Sequence, residues 1–352
     1  MSSAATAAAA DYHATAVGEQ VSLAIVDAVA EHVGESGFET NSRYVASIAN
    51  LPLIWHVFDE LAQGGVERAL IIARAGVRRD LEQVLEGGRS WGLEVAYSEV
   101  GDANGQQTVL ARTRESLASG PVLVYPADCL FPGQVAAMRD RFAAGDVDCV
   151  MLTETPPESS SPGSRMFSTA AMLGPRTGEF LGDLMSRGGD TRGVVETLLG
   201  GGCRVAVCEA AKQWYYSDST ERLLAANRMI LDDLPVPAAD GTFSDHNEVH
   251  GRVAISPHAR VSNSTLHGPI VIDDDAIVED SFVGPYTAIG RGAKVIGSDL
   301  DNSMVLTMAR IEHPGYRIQG SIIGEGASVL RSYELPKGLH LRLAPGSSVS
   351  FS

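Results

Sequence analysis

The sequence predicts an α/β domain followed by a parallel β-helix. Two observations predict it. Strand-like apolar runs alternate with helical patterns through the first two thirds of the chain, and a fixed apolar repeat fills most of the last third. A polar, Pro-rich stretch at 232–247 (DDLPVPAADGTFSDHN) separates the two regions and reads as a linker.

In the first region Val21–Val26 reads as a buried strand. Leu53–Leu61 reads as a helix, with Ile54, Val57, Phe58 and Leu61 on one face and Gly64-Gly65 as its stop. Ala69–Ala73 and Pro121–Tyr125 are further buried strands, and Leu93–Tyr97 is an extended segment. Asp80–Glu86 and Val109–Leu117 are helical. Strands that are apolar throughout, rather than alternating, imply a parallel sheet covered on both faces. The alternation of strand and helix is the doubly wound pattern. The expected organisation is a loose extension at 1–16, the α/β domain at 17–231, the linker, the β-helix at 248–331 and a tail at 332–352.

In the last region apolar residues fall in three rows. They run Val249, Ile255, Val261, then Leu266, Ile272, Val278, then Val283, Ile289, Val295, then Leu300, Leu306, Ile311. Steps of six, six and five make a period of seventeen residues. Three inward rows per turn describe a triangular coil of three short strands. One coil has only a narrow apolar stripe, whereas stacked coils make a continuous core and pair their backbone edges. His313-Pro314-Gly315 marks an irregularity in the last full coil.

Composition bounds the function. The chain of 352 residues carries 44 acidic and 27 basic side chains, a net charge of −17. That excess argues against nucleic acid and against an anionic membrane surface as partners, because both are bound by clustered cations. Four cysteines without a CxxC pair read as free thiols in a reducing compartment rather than as a zinc site. No apolar run reaches the ~18–20 residues that span a bilayer. Met1–Ala10 has no basic segment of a secretory signal, so a cytoplasmic protein is expected.

Several stretches carry a family resemblance. They are Ala49-Asn50-Leu51-Pro52-Leu53-Ile54, Gly65-Val66-Glu67, the run VLVYPADCLF at Val122–Phe131, WYYSDSTERLLAAN at Trp214–Asn227, and Val283-Gly284-Pro285-Tyr286-Thr287 within the repeat. From about residue 20 to 331 the chain resembles the sugar-1-phosphate nucleotidyltransferases, in particular the longer glucose-1-phosphate thymidylyltransferases. The resemblance implies a Rossmann-like nucleotidyltransferase domain and a left-handed β-helix of hexapeptide type. It implies attack of a sugar phosphate oxygen on the α-phosphorus of a nucleoside triphosphate, with diphosphate leaving and Mg²⁺ neutralising the phosphates. The metal would be held by two aspartates, matched here by Asp128 in Ala127-Asp128-Cys129 and Asp218 in Ser217-Asp218-Ser219.

The departures from the family pattern bear on activity. Where the family has a Gly-rich loop with an arginine and then a Pro-Lys pair, this chain has Ala28-Val29-Ala30-Glu31-His32-Val33. Val33 stands at the arginine position and Arg43 at the lysine position. Side chains at Ala28 and Val29 crowd the backbone approach that such a loop needs, and Glu31 adds repulsion. On the sugar side, Thr153–Met166 is a short Pro/Ser loop in which Arg165 is the candidate for meeting a sugar phosphate.

Three readings follow. The first is a catalytically degenerate member with a regulatory, assembly or altered-ligand role, as a homo-oligomer or beside an intact family member. The second is an active enzyme joining a nucleoside triphosphate to a sugar or cyclitol 1-phosphate, with Arg43, Asp128 and Asp218 carrying phosphate and Mg²⁺. The third is a hexapeptide-repeat acyltransferase. It would need a histidine among His250, His258, His267 and His313, which read as turn and surface residues. His56 reads as packed, Trp214-Tyr215-Tyr216 as strand core and pocket wall, and Asp273-Asp274-Asp275 as a solvated corner.

Overall fold

The computed structural model describes residues 21–30, 42–101, 105–152, 169–187, 191–234, 242–243 and 246–331. The expected extension, the tail, Glu31, Val33 and Arg165 lie outside the described residues.

Seven strands form the main sheet. They are β1 (Leu23–Ala28), β4 (Arg68–Arg74), β5 (Glu94–Val100), β6 (Val122–Pro126), β8 (Cys149–Leu152), β9 (Ala171–Leu173) and β10 (Val205–Cys208), in the order β10-β8-β9-β6-β1-β4-β5. β9 runs antiparallel to both neighbours and the other pairings are parallel. The Val21–Val26 run becomes a strand shifted two residues onward, which brings Asp27 into its end. The predicted helix at 80–86 is the second half of a longer α2, Ala75–Leu85. The Leu53–Leu61 helix is α1 (Leu53–Gln63), whose apolar stripe is fully buried. Helices α3 (Gly105–Leu117), α4 (Gln134–Ala143), α5 (Gly178–Arg187) and α6 (Thr191–Gly200) complete the layers. Separate apolar clusters contain Val26 with Tyr125 and Ile25 with Val124, neighbours on β1 and β6. Residues adjacent along a strand face opposite sides, so both faces of the sheet are covered.

α1 also fixes α4. The Glu60 carboxylate accepts from Gly133 N (2.8 Å) and Val135 N (2.7 Å), so it caps the start of α4 from a neighbouring helix. Burial raises its pKa, against the pull of those backbone donors. His56 is packed as expected. Its Nε2 lies 2.9 Å from Ile48 O, and burial lowers its pKa.

After α7 (Thr220–Asp232) the chain enters three parallel sheets of short strands. Glu248–His250, Thr265–His267, Phe282–Val283, Asp299–Asp301 and Ile318–Gln319 stack in one of them, and the other two follow the same coil order. This is the predicted β-helix, consistent with the left-handed coil that the resemblance implies. Val261, Leu266, Ile272, Val278, Val283, Ile289, Val295, Leu300 and Ile311 are buried in one core. Two residues of the repeat are corrected: Val249, on the first coil, is exposed, and Leu306 is replaced in the core by its neighbour. Ile289 pairs with Val305, sixteen residues on, so Val305 and not Leu306 fills the core. The coil is one residue short there. The next step, Leu300 to Ile318, spans eighteen and takes in the His313-Pro314-Gly315 irregularity.

The corners follow local chemistry. Asn263, Asp280 and Gly297 occupy equivalent corners at φ 47°, 50° and 55°, a region that Asn, Asp and Gly tolerate best. A serine ladder runs beside them. Ser264 Oγ accepts from Ser281 N and Ser281 Oγ accepts from Ser298 N, both at 3.1 Å. Each hydroxyl donates to the carbonyl two residues back, which satisfies the buried corner.

A buried amide links the β-helix to the α/β domain. Asn227 of α7 accepts from Ala49 N (3.1 Å) and donates to Tyr286 O (2.9 Å). Ala49 and Asn50 turn the hairpin of β2 (Ser47–Ile48) and β3 (Leu51–Pro52), both at positive φ, as two-residue hairpins require. Asn50 Nδ2 then donates to Ile289 O at 2.8 Å.

Replacement of Asn227 by Ala strands Ala49 N and Tyr286 O. Urea unfolding is expected to show a loss of about 2–3 kcal/mol, the cost of leaving buried backbone groups unsatisfied. Asp148 gives a pH-dependent test. Its carboxylate accepts from Arg204 N, Nε and Nη2 and lies 3.5 Å from Arg176 Nη1. The hydrogen-bonded Arg204 guanidinium holds its pKa below the ordinary 3.8. A depressed folded pKa means stability that is present above the unfolded value and lost as pH falls through the folded one. Asp148→Asn is expected to cost about 1–3 kcal/mol at neutral pH. The gap to wild type should close below pH 3.8 in unfolding curves measured against pH.

Candidate functional site

An open parallel sheet offers ligands the crevice beyond the carboxyl ends of its strands. Here β1 and β6 are neighbours, and the chain beyond each converges on one place. Ala127 N donates to Asp27 O (2.9 Å), which carries the exit of β6 across the end of β1. Asp128 follows directly.

The next step is set by strand pairing. β7 (Cys129–Leu130) lies antiparallel to β11 (Trp214–Tyr215), with Tyr215 opposite Cys129. Tyr216 N donates to Asp128 O at 2.9 Å, so this register places Tyr216 across from Asp128. Asp218 falls two residues later, in the turn before α7, where Ser219 is the cap and accepts from Arg222 N.

The Asp128 side chain is 5% exposed and is held by protein groups. Arg43 Nη1 lies 3.2 Å from Oδ2, and the Arg43 side chain is itself only 14% exposed. Its guanidinium carbon sits 5.1 Å from the centroid of the Tyr216 ring, a cation–π distance. Cys129 Sγ donates to Asp128 Oδ1 at 3.6 Å. The carboxylate is therefore paired with a cation that is stacked in turn on the residue opposite.

A second carboxylate lies at the end of the adjacent strand. Asp27 is fully buried, accepting from Val29 N (3.1 Å) and from Gln106 Nε2 (2.9 Å). Ala28 and Val29 are both buried. Val29 packs against Gly105, where an added Cβ would come within 2.8 Å of its own Cβ. Ala30 N donates to the Tyr44 hydroxyl (3.1 Å), so the exit of β1 is tied to the segment that carries Arg43.

The structure thus brings Asp128 and Arg43 together and puts Tyr216 beside them. Sequence reasoning missed Asp27, Tyr44 and Gln106 as neighbours of the site, and read Tyr216 only as part of a pocket wall. Asp27 carried a signal, a lone carboxylate inside the apolar run LAIVDA. Tyr216 became a neighbour through the β7–β11 register, which spans more than eighty residues of sequence. Among the described residues no group of three or more His, Cys, Asp or Glu side chains is arranged to hold a metal ion, and no helix is long and apolar enough to cross a membrane.

No family model matches the chain. It is 24% identical over 341 residues to a glucose-1-phosphate thymidylyltransferase of Streptomyces antibioticus, covering 88% of this chain and 94% of that protein. It is 24% identical over 343 residues to one from Streptomyces griseus, covering 89% and 94%. A low-salt glycan biosynthesis nucleotidyltransferase of Haloferax volcanii, Agl11, is 22% identical over 343 residues, covering 88% and 94%. The resemblance to the sugar-1-phosphate nucleotidyltransferases therefore extends over nearly the whole chain.

The ion pair is measurable. A double-mutant cycle of Arg43→Ala and Asp128→Asn, read by chemical unfolding, is expected to give a coupling energy of about 1–3 kcal/mol. A coupling within error of zero would show that the two side chains do not meet.

Proposed function

We infer that this chain, a distant relative of the nucleotidyltransferases of nucleotide-sugar metabolism, keeps their architecture without their catalytic centre. It acts as a regulatory or assembly subunit, beside an intact family member or as its own oligomer. One observation carries this reading. Asp128, at the family's metal position, is ion-paired with Arg43, and the Arg43 guanidinium stacks on the Tyr216 ring.

The reaction of the relatives sets the requirement. Nucleotidyl transfer needs the triphosphate cradled by preorganised donors while diphosphate departs. Among the described residues just beyond β1, two backbone N–H groups are committed elsewhere. Val29 N donates to Asp27, Ala30 N donates to Tyr44, and the Val29 side chain is packed inward. A triphosphate arriving at this edge would meet the buried carboxylates of Asp27 and Asp128 and two N–H groups already engaged. Losing one preorganised donor costs ~2.7–4 kcal/mol at a transition state. Two such donors are engaged here, so a barrier higher by several kcal/mol is the expectation.

Mg²⁺ fits this donor set poorly. It takes six oxygen ligands in near-octahedral geometry, usually from one or two carboxylates, water and substrate phosphate. Asp128 Oδ2 already faces a guanidinium, which is stacked on the Tyr216 ring. No step is therefore routed through a metal.

Incubation with each nucleoside triphosphate, Mg²⁺ and a panel of sugar and cyclitol 1-phosphates should release no diphosphate above the protein-free control. Release that Asp128→Ala abolishes would establish the active enzyme instead.

A further inference from the structure

We propose that residues 332–352 close the C-terminal end of the β-helix, lying across its last coil as one further, incomplete coil. This goes beyond the non-catalytic reading and does not rest on it.

The last described coil is the open end of the core. Ala259, Ala276, Ala293 and Ala309 hold one inward position, coil after coil, and each is fully buried. Ala327 is the next of that series, and it is exposed. Val295 and Ile311 are buried in their row, whereas Val329, their successor, is only partly buried. The same holds for Ile318 after Leu300 and for Ile323 after Val305. Space lies beyond them. A Cβ added at Gly290 would meet Thr307 N of the next coil at 2.9 Å, and one at Gly292 would meet the Met308 sulfur at 2.6 Å. At Gly324 and Gly326, two coils on, no described atom stands within 4 Å.

The backbone is open there as well. Ile277 N, Lys294 N and Arg310 N donate to the carbonyls of Ala293, Ala309 and Ala327, each one coil further on, at 2.8–2.9 Å. Among the described residues this ladder ends at Ser328, the next donor position. A second ladder, from Gly290 N to Val305 O and from Leu306 N to Ile323 O, ends in the same way at Gly324. An unpaired edge over an apolar core calls for a terminal capping element. Residues 332–352 leave directly from this end, and one coil takes seventeen residues, so they are long enough to cross it once. Seventeen residues beyond Ile318 and Ala327 stand Leu335 and Ala344. Leu341 stands one residue past the corresponding place for Ile323, a slip of the size found at Val305. Pro336 and Pro345 lack an N–H and Lys337 is charged, which stops a further strand from adding on the outer side. Tethering also gives this segment an effective concentration that a second copy, free in solution, lacks.

Two measurements on the full-length chain test this. Hydrogen–deuterium exchange, read by mass spectrometry, compares wild type with a variant carrying both Leu335→Asp and Leu341→Asp. The variant is expected to exchange about tenfold or more faster over residues 318–331, with the coils at 253–278 unchanged. Unchanged exchange over 318–331 in the folded variant overturns the proposal. So does protection of that segment in wild type that disappears on dilution, which assigns the end to a second copy. The other measurement leaves the rest of the chain as wild type and introduces Leu341→p-benzoylphenylalanine. Irradiation is expected to attach this side chain within residues 318–331 of its own chain, mapped by mass spectrometry. Attachment only elsewhere, or only between two chains, overturns the proposal.

Discussion

A carboxylate taken out of water must find a cation or a set of donors, or it will not stay ionised. Asp128 meets that demand with Arg43, and much of the molecule serves to keep Arg43 there. The arginine lies on a 3₁₀ turn, the turn leads into a hairpin, and the hairpin tip is fastened by Asn227 and Asn50. Asn227 belongs to α7, and its other hydrogen bond reaches the β-helix at Tyr286. The β-helix is thus tied to the edge of the α/β sheet through a chain of buried polar contacts. Such contacts are stiff because leaving any one unmade costs its full desolvation.

The same economy shows at the exit of β1. In a phosphate-binding loop the backbone N–H groups stay uncommitted until a ligand arrives. Here two of them are used internally, by Asp27 and by the Tyr44 hydroxyl. These two groups are therefore satisfied without a ligand.

The β-helix was legible because its signal is repetition. Each coil solves the same packing problem, so inward residues recur at a fixed spacing and their burial follows. The exchange at Leu306 shows the limit. Leu306 and Val305 are both apolar, and a coil one residue short exchanges their faces without changing the composition. In the α/β region, strand interiors were legible as apolar runs. The shift of β1 by two residues was not, because the charged Asp27 that ends it reads from sequence alone as a break. It is tolerated there by Val29 N and Gln106, the latter from α3.

At the site, Asp128 and Arg43 were legible one at a time, each from its place beside a recognisable strand or Pro motif. Their pairing was not, because it joins residues 85 apart in sequence. Asp218 lies two residues beyond Tyr216, whose backbone N–H donates to Asp128 O. By itself the sequence determined the two architectures, their order and the apolar rows, because local periodicity and turn chemistry encode which face is buried. Only the tertiary structure decided which cation meets which carboxylate and which N–H groups remain for a ligand. Those outcomes depend on strand register and on hydrogen bonds between distant segments, which no short window of residues contains.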